Sequence, residues 1–126
     1  GNKIKLGDLE TKRNFNYIDN TCLGLFSLIK NNQTIGNILN IGSDDVLKID
    51  QVVKIVSKKL NKKLIVLKDN KRLRPKKSEV RALSCNYKKI KKITGYKPLV
   101  SFENGISKTI EWCKKNIHTN VDEYTI

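Results

Sequence analysis

Arginine is the residue type in this sequence whose positions point most directly to binding chemistry. Only four of the 26 basic side chains are Arg. One is Arg13, and the other three lie within ten residues: Arg72, Arg74 and Arg81. The planar guanidinium carries five N–H donors and can contact a phosphate or a carboxylate at two points, whereas the Lys ammonium is a hydrated point charge. An Arg among so many Lys residues therefore indicates a position that needs two-point contact with an anion.

The sequence offers few groups for catalysis, cofactor binding or metal binding. His118 is the single histidine, and the three cysteines, Cys22, Cys85 and Cys113, contain no C-x-x-C pair. This spacing predicts reduced thiols that fill the core, and it argues against a disulfide framework and a zinc site. Neither G-x-G-x-x-G nor G-x-x-x-x-G-K-[ST] occurs, so no glycine-rich phosphate loop is predicted. We therefore predict no catalytic, cofactor-binding or metal-binding residue.

Tyr87 and Lys91 have a Y-x-x-x-K spacing, which places a phenol and an ammonium on one face of a helix. The chain has four Tyr and 22 Lys residues in 126 positions, so such a pair arises readily by chance. The surrounding helix carries Lys at its exposed positions, as a solvated surface does. We interpret this pair as a coincidence without a catalytic role.

The apolar periodicity predicts the elements that position these residues. Helical spacing predicts helices over 19–30, 49–60, 86–94 and 101–117. Asp19 or Thr21 is predicted to cap the helix over 19–30. Asn86 is predicted to cap the helix over 86–94, and Gly95 is predicted to end it. Apolar alternation or apolar runs predict strands over 13–18, 35–41 and 63–69, the last of them buried. Residues 70–85 contain Pro75, show no period and are predicted to form a loop. The result is an α/β fold with a small sheet and about four helices.

Length and charge limit the domain organisation and the partners. We expect one domain over 1–118 followed by a polar tail over 119–126. The formal net charge of +14 at first suggests a nucleic-acid partner. However, Lys, Asn and Ile share A/T-rich codons, so a biased genome would raise the Lys content without selection for binding. No aromatic residues are interleaved with the Lys residues to stack on bases. We therefore predict no nucleic-acid partner.

The sequence also gives an expectation for the location of the protein. It contains no apolar run of the roughly 18 residues that span a bilayer and no secretory signal pattern. We expect no membrane association and a cytoplasmic location by default. The sequence lacks Met throughout, and we expect it to be a piece excised from a longer protein.

Four blocks follow each other along the chain: LGDLETKRNFNYIDNTCLGL, NILNIGSDDVLKIDQVVKIV, RLRPKKSEV and NYKKIKKITGYKPLVSFENGISKTIEW. They resemble the RDF, N-I-G, R-x-RP-x-x-SEV and G-[WY]-x-P segments of extended short-chain dehydrogenases that act on nucleotide sugars. The SEV loop is most similar to that of UDP-N-acetyl-sugar 4,6-dehydratases of nonulosonic acid pathways. The resemblance covers residues 4 to about 116. It implies the carboxyl-terminal, substrate-binding portion of an NAD-dependent dehydratase or epimerase, with the Rossmann portion absent.

The resemblance implies roles for individual residues. Arg13 and Arg74 match the two arginines that bind the substrate diphosphate. Glu79 matches the acid that accepts hydrogen bonds from the ribose hydroxyls. Ile4 and Leu6 match the positions whose main chain meets the nucleobase. The alternative for both arginines is a salt bridge that ties the loop to a helix.

Asn40 matches the Asn of N-I-G, with a structural or substrate-side role. Asn14 stands where the family has Asp, and Lys12 stands where Thr is frequent, so local hydrogen bonding departs from the family pattern. The resemblance further implies a chain that binds a UDP-sugar, holds no cofactor and is inactive alone, within a homo-oligomeric full-length enzyme that uses NAD. Two alternatives remain: a basic nucleic-acid-binding module, and a non-catalytic relative that serves as a partner-binding domain.

Overall fold

The computed structural model describes residues 1–75 and 78–116. In chain order, the strands and helices are β1 (Lys3–Leu6), β2 (Lys12–Asn14), α1 (Ile18–Ile29), β3 (Val46–Lys48), α2 (Ile49–Leu60), β4 (Ile65–Lys68), α3 (Lys88–Thr94) and α4 (Phe102–Asn116). Two 3-10 turns, Asn32–Thr34 and Asn70–Arg72, complete the regular structure of this part of the chain. The predicted α/β class with about four helices is confirmed. The predicted domain end at 118 and the tail over 119–126 lie outside the described residues.

The strands form two small sheets of two strands each. β1 pairs in parallel with β4, with Ile4 opposite Val66, and β2 pairs antiparallel with β3, with Lys12 opposite Lys48. Parallel strands cannot be joined by a tight turn, and the chain between β1 and β4 provides the long connection that contains α1 and α2. Lys12 also forms an isolated parallel bridge with Ala82. This bridge holds the carboxyl-terminal end of the predicted loop over 70–85 against β2.

Helix α2 has the bounds that the apolar period predicts. At its start, the Gln51 Oε1 atom accepts the amide of Lys48 at 2.8 Å, and Asp50 forms an ion pair with Lys54 at 2.7 Å. An acidic side chain in the first turn also interacts favourably with the positive end of the helix dipole. The helix ends at Asn61, which adopts a left-handed backbone with a φ of 50°.

Helix α1 turns its small and polar side, and not its apolar side chains, to the other described elements. The apolar residues Leu25, Phe26 and Ile29 are 50%, 62% and 79% exposed, and the buried residues are Asn20 and Gly24. The apolar spacing predicted a helix here, which is confirmed, but it did not determine which side the contacting elements cover. The predicted capping by Asp19 or Thr21 is also wrong, since the helix begins at Ile18 without a side-chain cap.

Gly24 allows a neighbouring chain segment to approach α1 closely. A Cβ atom at Gly24 would lie 2.6 Å from the Cγ2 atom of Ile41. Real Cβ contacts are essentially never that short. The absence of a side chain at Gly24 therefore makes room for Ile41 against the helix.

The predicted strand over 35–41 does not form. This segment follows the 3-10 turn Asn32–Thr34, has a positive φ of 72° at Gly36, and joins no ladder in the described residues. The β-prone residue types were overridden by the turn and by the lack of a partner strand. The observed strand β1 was missed, although its Lys and apolar residues alternate between exposed and half-buried positions.

Strands β2 and β4 overlap two of the predicted strands but are shorter. β2 ends at Asn14, while the prediction extended to Ile18. β4 was predicted to be buried, yet Ile65 and Leu67 are 46% and 40% exposed. In a strand the side chains alternate between faces, so one face of β4 is open to solvent in the described structure.

Helices α3 and α4 lie near their predicted positions. Asn86 Oδ1 accepts the amide of Lys88, the first residue of α3, at 3.1 Å. Gly95 ends α3 with a φ of 74°, as predicted. Helix α4 begins one residue after the predicted Ser101. None of the helices in the described residues is both long enough and apolar enough to cross a bilayer.

Asn20 joins α1 to the segment that precedes α4. Its side chain is almost completely buried, at 1% exposure. The Oδ1 atom accepts the amides of Leu99 at 2.8 Å and Val100 at 2.9 Å, and Nδ2 donates to the carbonyl of Val100 at 2.8 Å. One side chain thus provides hydrogen bonds for main-chain groups that are 79 and 80 residues away in sequence.

Replacing Asn20 by Ala should lower the free energy of unfolding by about 2–4 kcal/mol, because partly buried main-chain groups of Leu99 and Val100 lose their partners. Urea unfolding followed by circular dichroism measures this loss. The matched control is Asn104→Ala on the exposed surface of α4, which should change the same free energy by less than about 0.5 kcal/mol. Equal losses in the two variants would contradict this account of Asn20.

Candidate functional site

A cleft of about 570 Å³ lies at the carboxyl ends of the parallel strands β1 and β4. Its walls come from the segment after β1, from β4 itself, and from both ends of the loop after β4: Gly7, Asp8, Leu9, Val66, Lys68, Leu73, Arg74, Glu79 and Arg81. The carboxyl ends of parallel strands are where open α/β sheets bind ligands. The cleft therefore combines a favourable position in the fold with charged side chains.

Arg74 and Glu79, two of the predicted site residues, line this cleft together. The amide of Ser78 and its hydroxyl both donate to the carbonyl of Pro75, at 2.9 and 3.0 Å. Pro75 fixes its own φ and restricts Arg74 to extended backbone. The loop thus holds a cation and an anion on the same wall.

Arg13 contacts Glu79 and does not line the cleft itself. Its Nη2 atom lies 3.0 Å from Glu79 Oε1, and Nη1 donates to the carbonyls of Val80 and Lys12, each at 2.8 Å. The Arg13 and Glu79 side chains are 26% and 18% exposed, so this pair is partly shielded from water. The ion pair foreseen as an alternative for Arg13 is present, and it joins β2 to the loop.

The main chain at Ile4 and Leu6 is engaged inside the sheet. Both residues lie in β1 and pair with β4. The carbonyl of Leu6 accepts the amide of Asp69 at 2.8 Å. Neither residue lines the cleft, and Gly7 is the first position after β1 that does.

Gly7 lies directly against the main chain of the loop. A Cβ atom there would lie 2.6 Å from the carbonyl oxygen of Arg72 and 3.1 Å from its carbonyl carbon. Main-chain atoms cannot rotate away as a side chain can. Gly7 therefore sets how closely the loop that carries Arg74 approaches β1.

Asn40 lies outside the cleft. It is exposed, and its Nδ2 atom is 3.5 Å from the carbonyl of Asn86. The structure thus does not bring Asn40 together with Arg74 and Glu79. The contact instead links the segment before β3 to the start of α3.

Tyr87 is hydrogen-bonded to a carboxylate and is not paired with Lys91. Its hydroxyl donates to Asp44 Oδ2 at 2.7 Å, and its ring meets Tyr96 edge-on at 5.8 Å. The hydrogen bond to Asp44, together with partial desolvation, raises the pKa of Tyr87 to about 12. A phenol held in its neutral form in this way is a poor acid–base catalyst near neutral pH.

Three further charged side chains of the cleft were not predicted from the sequence. Asp8, Lys68 and Arg81 all line it. Arg81 had a signal, because it is one of the three clustered arginines. The other two had none, since Lys is common throughout the chain and Asp8 lies in a turn, where it accepts the amide of Glu10 at 2.8 Å.

The thiols do not form a reactive site. Cys22, Cys85 and Cys113 are free, and Cys22 is exposed, so its predicted place in the core is wrong. Burial raises the pKa of the Cys85 thiol, which keeps it protonated. Within residues 1–75 and 78–116, no three His, Cys, Asp or Glu side chains come together as a metal site.

The described residues do not fit the diphosphate of a dinucleotide cofactor. Such a cofactor needs a glycine-rich turn that leads from a strand into the amino end of a helix. In residues 1–75 and 78–116, β1 leads into a turn and β2, and β4 leads into the 3-10 turn Asn70–Arg72. α2 follows β3 without an intervening residue.

Residues 1–109 match the family model described as GDP-mannose 4,6 dehydratase. The chain belongs to this family. Its resemblance to the extended short-chain dehydrogenases that act on nucleotide sugars is thereby confirmed at the level of the family.

Individual relatives agree with this membership. The UDP-glucuronate 4-epimerase of Thermodesulfobacterium geofontis is 29% identical over 113 residues, which cover 88% of this chain and 33% of the relative. The solved structure of RMD from Pseudomonas aeruginosa complexed with NADPH superposes with a TM-score of 0.82 at 17% identity, over 93% of this chain and 37% of that one. The solved structure of the UDP-glucose 4-epimerase of Thermotoga maritima with UDP-glucose superposes with a TM-score of 0.77 at 24% identity, over 92% of this chain and 35% of that one. The chain spans about a third of the length of the curated relatives it matches.

Gly7→Ala should lower the free energy of unfolding by about 1–3 kcal/mol, the scale of overpacking, because the main chain at Arg72 has to move. Gly1→Ala is the control, since a Cβ atom at Gly1 meets nothing within 4 Å. Urea unfolding of both variants tests the contact. A Gly7 variant as stable as the wild type would show that the loop does not pack as described.

The raised pKa of Tyr87 predicts a pH dependence of stability. Its folded-state pKa of about 12 lies above the ordinary value of 10, so the contribution is complete below pH 10 and is lost as the pH rises toward 12. The wild type should lose stability more steeply over this range than Tyr87→Phe or Asp44→Asn. Urea midpoints at pH 9 and pH 11 test this, and equal losses in all three proteins would contradict it.

Proposed function

We propose that this chain forms the nucleotide-sugar-binding portion of an NAD-dependent nucleotide-sugar 4,6-dehydratase or epimerase. The family match and the relatives named as UDP-sugar epimerases support this proposal. The observation that carries it is the joint position of Arg74 and Glu79 in one cleft at the carboxyl ends of β1 and β4. A nucleoside diphosphate needs a forked donor for its phosphates and an acceptor for its ribose hydroxyls, and these two residues supply both.

Arg74 provides the contact with the diphosphate in this proposal. It is exposed, it lines the cleft, and among the described residues no carboxylate forms an ion pair with it. Its guanidinium therefore keeps the donors that two-point phosphate binding needs. The restricted backbone before Pro75 aims the side chain reproducibly.

Glu79 provides the acceptor for the ribose hydroxyls. The ion pair with Arg13 uses Oε1, and an ionised carboxylate has further acceptor sites on both oxygens. Arg13 orients Glu79, and so supports the site through this contact. The direct contact between Arg13 and the diphosphate stays a prediction.

The nucleobase is assigned to the main chain just after β1. Gly7 and Leu9 line the cleft there, beside the predicted positions Ile4 and Leu6. The carbonyl of Leu6 is already used by Asp69. We therefore place the base contact one to three residues beyond the predicted ones.

The chemical step belongs to other parts of the enzyme in this proposal. NAD, which when bound would take a hydride from the sugar, and the catalytic acid and base are assigned to the length of the relatives that this chain does not span. This chain alone would then bind the substrate without turning it over. A homo-oligomeric enzyme, a cytoplasmic location and the finer likeness to nonulosonic acid enzymes also stay predictions.

Arg74→Lys should weaken UDP-sugar binding by about 1–3 kcal/mol, because it keeps the charge and removes the two-point geometry. Isothermal titration with UDP-glucuronate at two ionic strengths measures the change. Lys76, in the same loop, lies outside the described residues. The matched charge removal is therefore Lys59→Ala, on the exposed surface at the end of α2, and we expect a change below about 0.5 kcal/mol.

The outcomes separate the proposed site from a general effect of charge. If Arg74→Lys binds as the wild type does while Lys59→Ala weakens binding, affinity follows net charge and the assignment of the cleft is wrong. If the chain binds single-stranded RNA more tightly than the UDP-sugar, with a steep dependence on salt, the nucleic-acid alternative holds instead.

A further inference from the structure

We propose that a second groove, between the carboxyl-terminal half of α2 and the start of β4, binds an acidic peptide segment of a partner protein in which carboxylates flank an apolar side chain. The groove has a volume of about 570 Å³, and four lysines line it: Lys54, Lys58, Lys62 and Lys63. We call it the lysine groove. The proposed function gives this surface no role.

Three apolar side chains form the floor of the lysine groove. Val53 comes from α2, Leu64 lies just before β4, and Val66 lies in β4. All three are half-buried. A ligand that removes the rest of their surface from water is stabilised by the hydrophobic effect. The floor therefore favours a ligand that brings an apolar group.

The turn between α2 and β4 is tied to the helix through Ser57. Its carbonyl accepts the amide of Lys62 at 3.1 Å, and its hydroxyl donates to the carbonyl of Lys62. The amide of Leu64 donates to the Ser57 hydroxyl oxygen at 3.4 Å. Asn61 reverses the chain with its φ of 50°. These contacts hold the main chain of Lys62 and Lys63 against the helix that carries Lys54 and Lys58.

The lysine groove carries an excess of positive charge. All four lysines are exposed. Lys54 forms an ion pair at 2.7 Å with Asp50, which also lines the groove. In the described part of the chain, the other three lysines form no ion pair. An anionic partner would supply the carboxylates that these lysines lack.

The number of lysines in the chain does not explain this arrangement. Lys58 lies in the last turn of α2, where a cation interacts favourably with the helix dipole, but Lys62 and Lys63 follow the end of the helix. Lys54 and Lys58 are four residues apart on one helix face, a spacing at which like charges destabilise a helix. A bound anion would offset this repulsion.

The chemistry of the lining favours an acidic peptide over nucleic acid and over a membrane. Among residues 1–75 and 78–116, no Arg and no aromatic side chain lines the lysine groove. Nucleic acid would find cations there but no ring on which a base can stack. A bilayer surface would leave the recessed floor uncovered, since membrane-bound proteins insert apolar side chains that protrude. A peptide with carboxylates beside an apolar side chain uses both the lysines and the floor.

The test uses the full chain and a short fluorescent peptide in which two Leu residues lie between runs of Glu. Fluorescence anisotropy at physiological salt measures binding. One control peptide carries Gln in place of every Glu, and a second carries Ser in place of both Leu residues. Polyuridylate and vesicles that contain phosphatidylserine represent the two other classes of partner.

Two adjacent lysines provide matched variants of the protein. Lys58 and Lys59 are both exposed on α2, and only Lys58 lines the groove. Lys58→Glu should weaken binding of the Glu and Leu peptide about fivefold or more, because an exposed ion pair is replaced by repulsion. Lys59→Glu changes the net charge equally and should weaken binding by less than about twofold at this salt.

A further variant and the control peptides test the two halves of the groove separately. Lys62→Glu, beyond the turn, should weaken binding as Lys58→Glu does, and urea unfolding shows whether each variant stays folded. The Gln peptide should lose binding to the wild type. The Ser peptide should bind about tenfold more weakly than the Leu peptide, because the floor is left uncovered.

Three results would overturn the inference. If Lys58→Glu and Lys59→Glu weaken binding equally, affinity follows net charge and no groove is involved. If the wild type binds the Gln peptide as tightly as the Glu peptide, carboxylates are not recognised. If polyuridylate or the vesicles bind more tightly than the peptide and lose binding in Lys58→Glu, the groove belongs to that class of partner and not to an acidic peptide.

Discussion

The hydrogen bonds that hold residues 42–45 are the interaction on which the rest of the described structure depends. Three separate parts of the chain meet there: Tyr96 Oη donates to Gly42 O (2.9 Å), Asn14 Nδ2 donates to Ser43 O (2.7 Å) and Phe102 N donates to Asp45 Oδ2 (3.0 Å). In the described residues the buried apolar side chains are Ile90 and Tyr96. With so small an apolar core, directed polar contacts determine how the helices meet the strands.

The candidate site depends on this junction through β2. Residues 42–45 hold the end of β2 and the start of β3. In turn, Lys12 of β2 holds the carboxyl-terminal end of the loop after β4, at Ala82. Gly7 determines how closely the other end of this loop, at Arg72, approaches β1. The cleft is therefore shaped by main-chain positions at both ends of the loop, and in the described residues its cations Arg74 and Arg81 form no ion pair.

Much of the fold could be predicted where local signals and tertiary contacts agree. Helix α2 has both an apolar stripe and an acidic first turn, and Gly95 ends α3 because a left-handed residue is needed there. The prediction failed where a neighbour decided the outcome. The period of α1 indicates a helix but not which face is covered, and the stretch 35–41 has strand residues but no partner strand in the described part of the chain.

The candidate site shows the same division. The cluster of arginines and the resemblance of the RP loop predicted Arg74 and Glu79 for one substrate site, and both residues line the same cleft, while their binding roles stay predictions. Which guanidinium faces the cleft is a matter of distance between segments far apart in sequence. The pairing of Arg13 with Glu79, 66 residues away, could not be read from either segment alone.

The contact between Gly24 and Ile41 has a consequence for how this sequence can change over generations. A methyl group at Gly24 would lie 2.6 Å from the Ile41 side chain, and close-packed interiors tolerate added volume poorly unless volume is removed nearby. We expect the two positions to covary: lineages that acquire Ala at position 24 should carry Val or a smaller residue at position 41, and the order of the two changes should matter, with the smaller residue arising first.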